Sequence, residues 1–366
     1  MNICIIGDGL TSLSLAKNLI NKKINVHIYV EKKYENLISS RTIGISKKNF
    51  EFFNKEILGI PKKNIWEIRK IEIYSEKSSN NKILNFEKDK NNLFYMLKNH
   101  ELYRSLNNKL IKNKFFKKKK IVNNDFYQRL LKEKKYDLII NCDPVNFFAK
   151  KYFSKKINKD YNNLAYTTIL NHEIIDNHNA IQIFTKIGPI AFLPISDTQT
   201  SVVYSIDVNK HIYKEEEILN LINKHNPKFI IKKISKIYKF KLQSSNLRNY
   251  CHKNILSFGD SLHKVHPLAG QGFNMTIRDI NVLSDIIQGR IELGLQLDQS
   301  IFEIFEKKTK HINFIFSNGI DFIYEFFNFD KKVKNKKLNN LLKYVGNNKK
   351  INNFLIRYAN SGFNIY

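Results

Sequence analysis

The sequence predicts an α/β fold in which one parallel layer is visited twice, a mostly antiparallel sheet is inserted between the visits, and the C-terminus is helical. Three observations predict it. The chain opens strand, glycine turn, helix, strand; a second glycine-rich turn between a strand and a helix comes late, at residues 257–279; and residues 163–247 between them read as alternating strands.

The elements follow in order. "NICII" is a short apolar strand, residues 10 to about 22 form a helix, and "NVHIYV" is a second strand, which together make a βαβ opening. "SSRTIGIS", a helix through Phe50 and Phe53, and the strand pair "IRKIEIYSE" and "KILNFEK" come next. Leu102, Leu106 and Leu110 at i+4 spacing mark a helix over residues 99–112, with Asn99 its expected N-cap. "YDLIINC" is apolar enough for a parallel strand buried on both faces. "AIQIFTK", "GPIAFLPI", "TSVVYSI" and "KISKIYKFKL" are the inserted strands, interrupted by the helix "KEEEILNLINKH". After "NILSF" and the second turn the chain reads as helical to its end, with breaks expected at Gly294, Gly319 and Gly346. The expected domains are 1–75, 92–162 and 250–290 for the parallel layer, 76–91 and 163–249 for the inserted sheet, and 291–366 for the C-terminal helices.

Length and a hydrophobic content of 42% suit a folded protein with a sizeable core. The formal net charge of +29 would attract phosphates on nucleic acid or lipid, but Lys, Asn, Ile, Phe and Tyr are abundant together. That pattern is a compositional bias in which lysine fills ordinary solvated positions, and "KFFKKKK" reads as such a face because no nucleic-acid motif accompanies it. Cys4, Cys142 and Cys251 are too scattered for a disulfide framework or a zinc site, which points to a reducing compartment. The first apolar run is broken by Gly7, Asp8 and Gly9, so no signal peptide is expected, and no apolar span reaches the roughly 20 residues needed to cross a bilayer.

Gly7-x-Gly9-x-x-Ser12 stands between a strand and a helix, the context in which such a motif carries meaning. The first glycine makes the tight turn, the second admits a pyrophosphate, and Ser12 is a small substitute for the third. The phosphates would rest on the helix N-terminus, where unpaired N–H groups and the dipole favour negative charge. Glu31, ending the second strand, stands about 20 residues on, where a ribose diol is held. This motif alone leaves a nicotinamide and a flavin both open.

The late stretch "SFGDSLHKVHPLAGQGFNMTIRD" makes the choice. A dissociating nicotinamide needs no second glycine turn, whereas a resident flavin must be held at both ends. In this reading Asp260 accepts hydrogen bonds from ribityl hydroxyls and Pro267 closes the loop. Gly270-Gln271-Gly272 then opens a helix, whose backbone N–H groups approach the ring and stabilise negative charge on the reduced flavin.

This stretch resembles the second flavin motif of the ubiquinone-biosynthesis FAD-dependent hydroxylases, group A flavoprotein monooxygenases related to para-hydroxybenzoate hydroxylase. "SSRTIGIS", "LFYMLKNHEL", "FTKIGPIAFLPISD" and "NNFLIRYANSG" resemble further segments of that family in the same order. The resemblance implies a Rossmann-like FAD-binding domain of the GR2 type. It implies Gly7, Gly9, Ser12, Glu31, Arg41, Asp260, Gly270, Gly272, Phe273 and Asn274 as FAD-binding residues, with Pro267, Gly270, Gln271 and Gly272 lining the active site. No general base is named, because the resemblance implies that the flavin carries the chemistry through a C4a-hydroperoxide after reduction by NAD(P)H. The implied substrate is a phenol carrying a polyprenyl tail. The implied setting is the cytoplasm, with a seat on the inner face of a membrane and among other quinone-biosynthesis enzymes. Basic, apolar residues 330–362 would suit either an interfacial helix or an ordinary packed one.

Two departures stand out. The family's Gly-Ala-Asp-Gly segment is Asn141-Cys142-Asp143-Pro144 here, and its arginine after Asn99 is His100. The first favours an alternative in which the chain is a non-catalytic or weakly catalytic flavin-fold scaffold in a quinone-biosynthesis complex; a flavin hydroxylase of an unrelated aromatic compound is the other. His263-x-x-His266, followed at once by Pro267, is not expected to bind metal.

Overall fold

A computed structural model describes residues 1–31, 40–76, 82–87, 92–122, 125–209, 211–266 and 270–332. The parallel layer is a six-stranded sheet in the order Cys251–His252, Ile255–Ser257, Leu138–Asn141, Asn2–Ile6, Asn25–Val30 and Phe116–Lys120. All its pairings are parallel except the hairpin made by Cys251–His252. Ile3 to Ile6 and Leu138 to Asn141 are buried without a break, as strands covered on both faces must be. The helices Leu10–Asn21 and Gln271–Glu292 pack on this layer through Leu13, Leu19, Ile277, Ile280 and Leu283.

The second sheet has nine strands. Along its main path they run His263–Lys264, Tyr238–Leu247, Lys156–His172, Gln199–Asp207, Pro189–Ser196, Asn179–Phe184, Lys70–Ser75 and Lys82–Glu87, while Ile231–Ile234 pairs with Lys156–His172 off that path. It is antiparallel apart from Asn179–Phe184 against Lys70–Ser75. Its members reach beyond the expected borders at 76, 163 and 249, because the 17-residue strand Lys156–His172 pairs continuously back to Lys156↔Leu247, and Lys70–Ser75 finds its partner a hundred residues on. A third sheet, Thr42–Ser46, Phe94–Lys98 and Trp66–Ile68, joins the two layers. Thr42 Oγ1 donates to Ser201 Oγ of the large sheet at 2.9 Å.

Two expectations are corrected. The helix Asn99–Ile111 is preceded by Lys98 as its cap, and Asn99 is its buried first residue. Gly319 does not break the 33-residue helix Ser300–Lys332, since a single glycine costs a helix only about 1 kcal/mol and tertiary packing of Phe316 and Ile320 exceeds that. Gly294, at φ +68°, does end the preceding helical stretch, while Gly346 and the region 333–366 lie outside the described residues. Among the described residues no helix is long and apolar enough to cross a membrane.

Candidate functional site

The strand Asn2–Ile6 ends at Gly7, whose φ of +122° is left-handed backbone that favours glycine. A side chain there would press on Ser12 Oγ at 3.2 Å and on the Asp143 backbone N at 3.4 Å, so the turn is wedged between its own helix and the neighbouring strand end. Gly9 caps the helix Leu10–Asn21 with extended backbone, makes no side-chain cap, and no acidic residue occupies the first turn. Among the described residues, a Cβ on Gly9 would meet nothing within 4 Å. The helix N-terminus thus keeps its unpaired N–H groups and its positive dipole end facing open space.

That space is a cavity of about 300 Å³ lined by Gly7, Asp8, Val30, Glu31, Asp143, Val145 and Lys150. Glu31 stands at the end of the strand Asn25–Val30, and its carboxylate accepts a hydrogen bond from the Tyr127 hydroxyl. Burial, and then that carboxylate, hold the Tyr127 phenol well above its ordinary range, so it stays a donor. Asp8 is buried and pairs with Lys118, Nζ to Oδ1 2.6 Å.

The second turn closes on the first. The strand Ile255–Ser257 runs parallel to Leu138–Asn141, Phe258 N donates to Asn141 O at 2.9 Å, and Gly259 turns at φ +64°. A Cβ on Gly259 would lie 2.5 Å from Thr11 Cγ2 and 2.9 Å from Thr11 Oγ1. The late glycine therefore sits directly on the first turn of the early helix. Asp260 is exposed beside it. Burial pushes the Cys142 thiol up to about 12, and the carboxylates of Asp143 and Asp260 add to the shift, which puts both charges around the same strand end.

Gly270 caps the helix Gln271–Glu292 in the left-handed conformation, and a Cβ there would be 3.6 Å from Gly44 N. Asn274, wholly buried, joins this helix to the strand Thr42–Ser46. Its Nδ2 donates to Gly44 O at 2.8 Å, and its Oδ1 accepts from Ser46 N and from Asn49 Nδ2, each at 2.9 Å. Gly272 and Phe273 are half-buried, with Phe273 against Phe53. Gln271 is buried, and its Oε1 has no hydrogen-bond partner among the described residues. Arg41 is exposed where the strand Thr42–Ser46 begins, its carbonyl accepting from Asn99 N. Pro267 lies outside the described residues.

The two histidines of the late loop go separate ways. His263 Nε2 lies 2.5 Å from Asp279 Oδ2, whose other oxygen accepts from Asn313 Nδ2 at 3.1 Å, all buried. His266 packs edge-on to Tyr161 at 4.8 Å, and burial lowers its pKa to about 3. The segment after Leu138–Asn141 satisfies itself: Val145 N donates to Asp143 Oδ1 at 2.9 Å, Asn146 Nδ2 to Asn141 Oδ1 at 2.6 Å, and Asn146 Oδ1 caps the helix Phe147–Tyr152. Pro144 needs no donor in that arrangement.

Sequence reading did not find Lys118, Tyr127, Lys150 or the His263–Asp279–Asn313 chain. Lys118 was hidden in a lysine run, Tyr127 and the histidine chain meet their partners only through tertiary packing, and Lys150 lines the cavity from the helix Phe147–Tyr152.

The geometry brings together an open helix N-terminus, a carboxylate at the end of the following strand and a second glycine turn converging on the first, an arrangement suited to a dinucleotide. An FAD fits these groups, since the open side of Gly9 and the unpartnered Gln271 oxygen are places that a bound molecule would complete.

Residues 165–290 match the model of the FAD binding domain family. Ubiquinone biosynthesis monooxygenase COQ6, mitochondrial, of Danio rerio is 23% identical over 48% of this chain and 45% of its own length. The 3-demethoxyubiquinol 3-hydroxylase of Escherichia coli (strain K12) is 26% identical over 39% of this chain and 38% of its own. The chain thus spans about half the length, or less, of the curated relatives it matches. Among solved structures, p-nitrophenol 4-monooxygenase PnpA from Pseudomonas putida DLL-E4 superposes with a TM-score of 0.76 at 11% identity, covering 99% of this chain and 98% of that one. HpxO of Klebsiella pneumoniae, complexed with FAD and uric acid, gives 0.73 at 12% identity over 99% and 97%. The chain therefore shares the fold of these solved flavoproteins, and its residues 165–290 resemble an FAD binding domain.

Proposed function

We propose that the protein is an FAD-dependent monooxygenase that hydroxylates the aromatic ring of a polyprenylated phenol in ubiquinone biosynthesis, with NAD(P)H as reductant. The contact of Gly259 with Thr11 carries the reading, because it joins the phosphate turn and the flavin turn into one elongated site. A relative named for ubiquinone biosynthesis and another named for hydroxylating a demethoxyubiquinol support the pathway.

Bound FAD would supply the activated oxygen. The chain's own part is to bind, orient and exclude water. The Leu10–Asn21 N-terminus and Gly9 would hold the pyrophosphate, and Glu31, fixed by Tyr127, a ribose. Asp260 would take the ribityl chain, and the Gly270–Gly272 backbone would face the ring. Asn274 fixes the distance between that helix and the strand after Arg41. The large sheet, tied on through Thr42 and Ser201, would cover the substrate. An apolar tail would favour a seat on the inner, cytoplasmic face of a membrane beside other enzymes of the pathway.

The test is a purified protein that is yellow, bleaches with NADH or NADPH without oxygen, and whose loss makes a polyprenylated phenol accumulate by mass spectrometry. A yellow protein that neither reductant bleaches would favour the scaffold alternative, which the self-satisfied Asp143-Pro144 turn supports. Bleaching without quinone precursors would point to an unrelated aromatic substrate.

A further inference from the structure

The phosphate turn contains a residue that opposes its expected use. Asp8 lies between Gly7 and Gly9, its side chain is almost fully buried, and it lines the cavity with two further carboxylates, Glu31 and Asp143. Among the described lining residues the cation is Lys150. With Glu31 read as the ribose partner, an unpaired Asp8 carboxylate beside the helix N-terminus would repel a pyrophosphate.

Lys118 alters that balance from outside the cavity lining. It comes from the edge strand Phe116–Lys120, beside Asn25–Val30, and reaches across to Asp8 Oδ1 at 2.6 Å. Tyr103 and Asn107, on the helix Asn99–Ile111, fix its amine from the other side: Nζ lies 3.5 Å from the Tyr103 hydroxyl and 3.4 Å from Asn107 Oδ1, and it stands 5.9 Å over the Tyr103 ring. Lys119 beside it also stands over a ring, that of Tyr29, but among the described residues Lys118 is the lysine of this run that pairs with a carboxylate.

Resting on the FAD reading above, we propose that Lys118 is a positioning residue for the cofactor: by pairing with Asp8 it cancels the charge that Asp8 would present to the phosphates, and so makes the turn acceptable to a dinucleotide. Lys118 acts through Asp8 and touches no phosphate itself.

The test uses the full chain stripped of cofactor and titrated with FAD, followed by quenching of flavin fluorescence. K118M is expected to weaken FAD binding by at least about tenfold, the effect of one unbalanced charge in a half-buried site. K118R keeps the charge and should stay within about threefold of wild type. D8N should bind at least as tightly as wild type, and the double variant D8N/K118M should return to within about threefold of it. Thermal melting of each cofactor-free variant separates loss of fold from loss of charge balance, since a merely structural lysine would not be rescued by D8N. Wild-type affinity in K118M, a double variant as weak as K118M, or a D8N variant that loses affinity would each overturn the proposal. Wild-type protein that fails to quench FAD would remove the cofactor reading itself, and this inference with it.

Discussion

The two glycine turns face opposite ways. At the first, a side chain on Gly9 would project into empty space, and the helix behind it is left uncapped. At the second, a side chain on Gly259 would enter Thr11, and Gly270 rests against the backbone of Gly44. One turn uses glycine to leave room for something absent from the protein, the other to bring two parts of the protein together. A glycine motif therefore has to be judged by what stands opposite it. In the proposed reading the first turn offers an open surface to the phosphates, and Gly259 of the second is the joint that positions it.

Breaking the joint should have the largest effect. G259A puts Cβ 2.5 Å from Thr11 Cγ2 and forces a left-handed conformation that costs a side-chain-bearing residue about 1–2 kcal/mol. Loss of bound FAD and a lowered melting temperature are expected. T11G/G259A removes the collision but not the backbone strain, so it should recover part of the loss. Equal melting and equal FAD binding in G259A and wild type would show that the turns are not in contact. By contrast G9A, facing open space, should leave the cofactor-free protein's melting unchanged to within about 0.5 kcal/mol while weakening FAD.

Asn274 comes next. N274A leaves the Ser46 N–H and the Gly44 carbonyl buried without their partner, which costs about 1–3 kcal/mol for each unsatisfied group. Chemical denaturation of the cofactor-free protein should show this loss directly. A variant that melts like wild type yet loses FAD would instead make Asn274 a ligand-facing residue.

Acid should also strike the second turn first. His266 has its pKa lowered from 6.5 to about 3, chiefly by burial and then by the Lys159 charge. The unfolded chain therefore binds a proton that the folded one refuses between these values, so stability falls as pH drops from about 6.5 towards 3. One such proton gives a slope of up to about 1.4 kcal/mol per pH unit. Melting curves of H266F against pH should lose that slope, whereas an unchanged slope would place the acid sensitivity elsewhere.

Both turns were legible in the sequence because their chemistry is local: strand, glycine spacing and helix start lie within a dozen residues of each other. Glu31 was legible for the same reason, being fixed by the length of one βαβ unit. What faces each turn was not. Thr11 against Gly259, Gly44 against Asn274 and Tyr127 against Glu31 are separated by long stretches of chain, and nothing in either partner's neighbourhood announces the other. The strands Lys70–Ser75 and His263–Lys264 joined the large sheet unannounced for that reason too, since a strand's pattern gives its faces but not its neighbour. Lys118 was missed because its run offers five lysines of equal appearance, and only the helix Asn99–Ile111 singles one out.

The smallest effect should come from Tyr127, on the binding side of the comparison. Its hydroxyl donates to Glu31 and so fixes the carboxylate that would receive a ribose. Y127F removes one donor from a partly exposed acid that water can still solvate, so the fold should hardly notice. The ring keeps its contacts with Phe126, Phe147 and Phe148, which makes the substitution close to isosteric. FAD affinity is expected to fall by about threefold, within the 0.5–1.5 kcal/mol of one ordinary hydrogen bond, while E31Q should weaken it further because it touches the ligand itself. A Y127F loss larger than that of E31Q would mean that the tyrosine, not the carboxylate, meets the ribose.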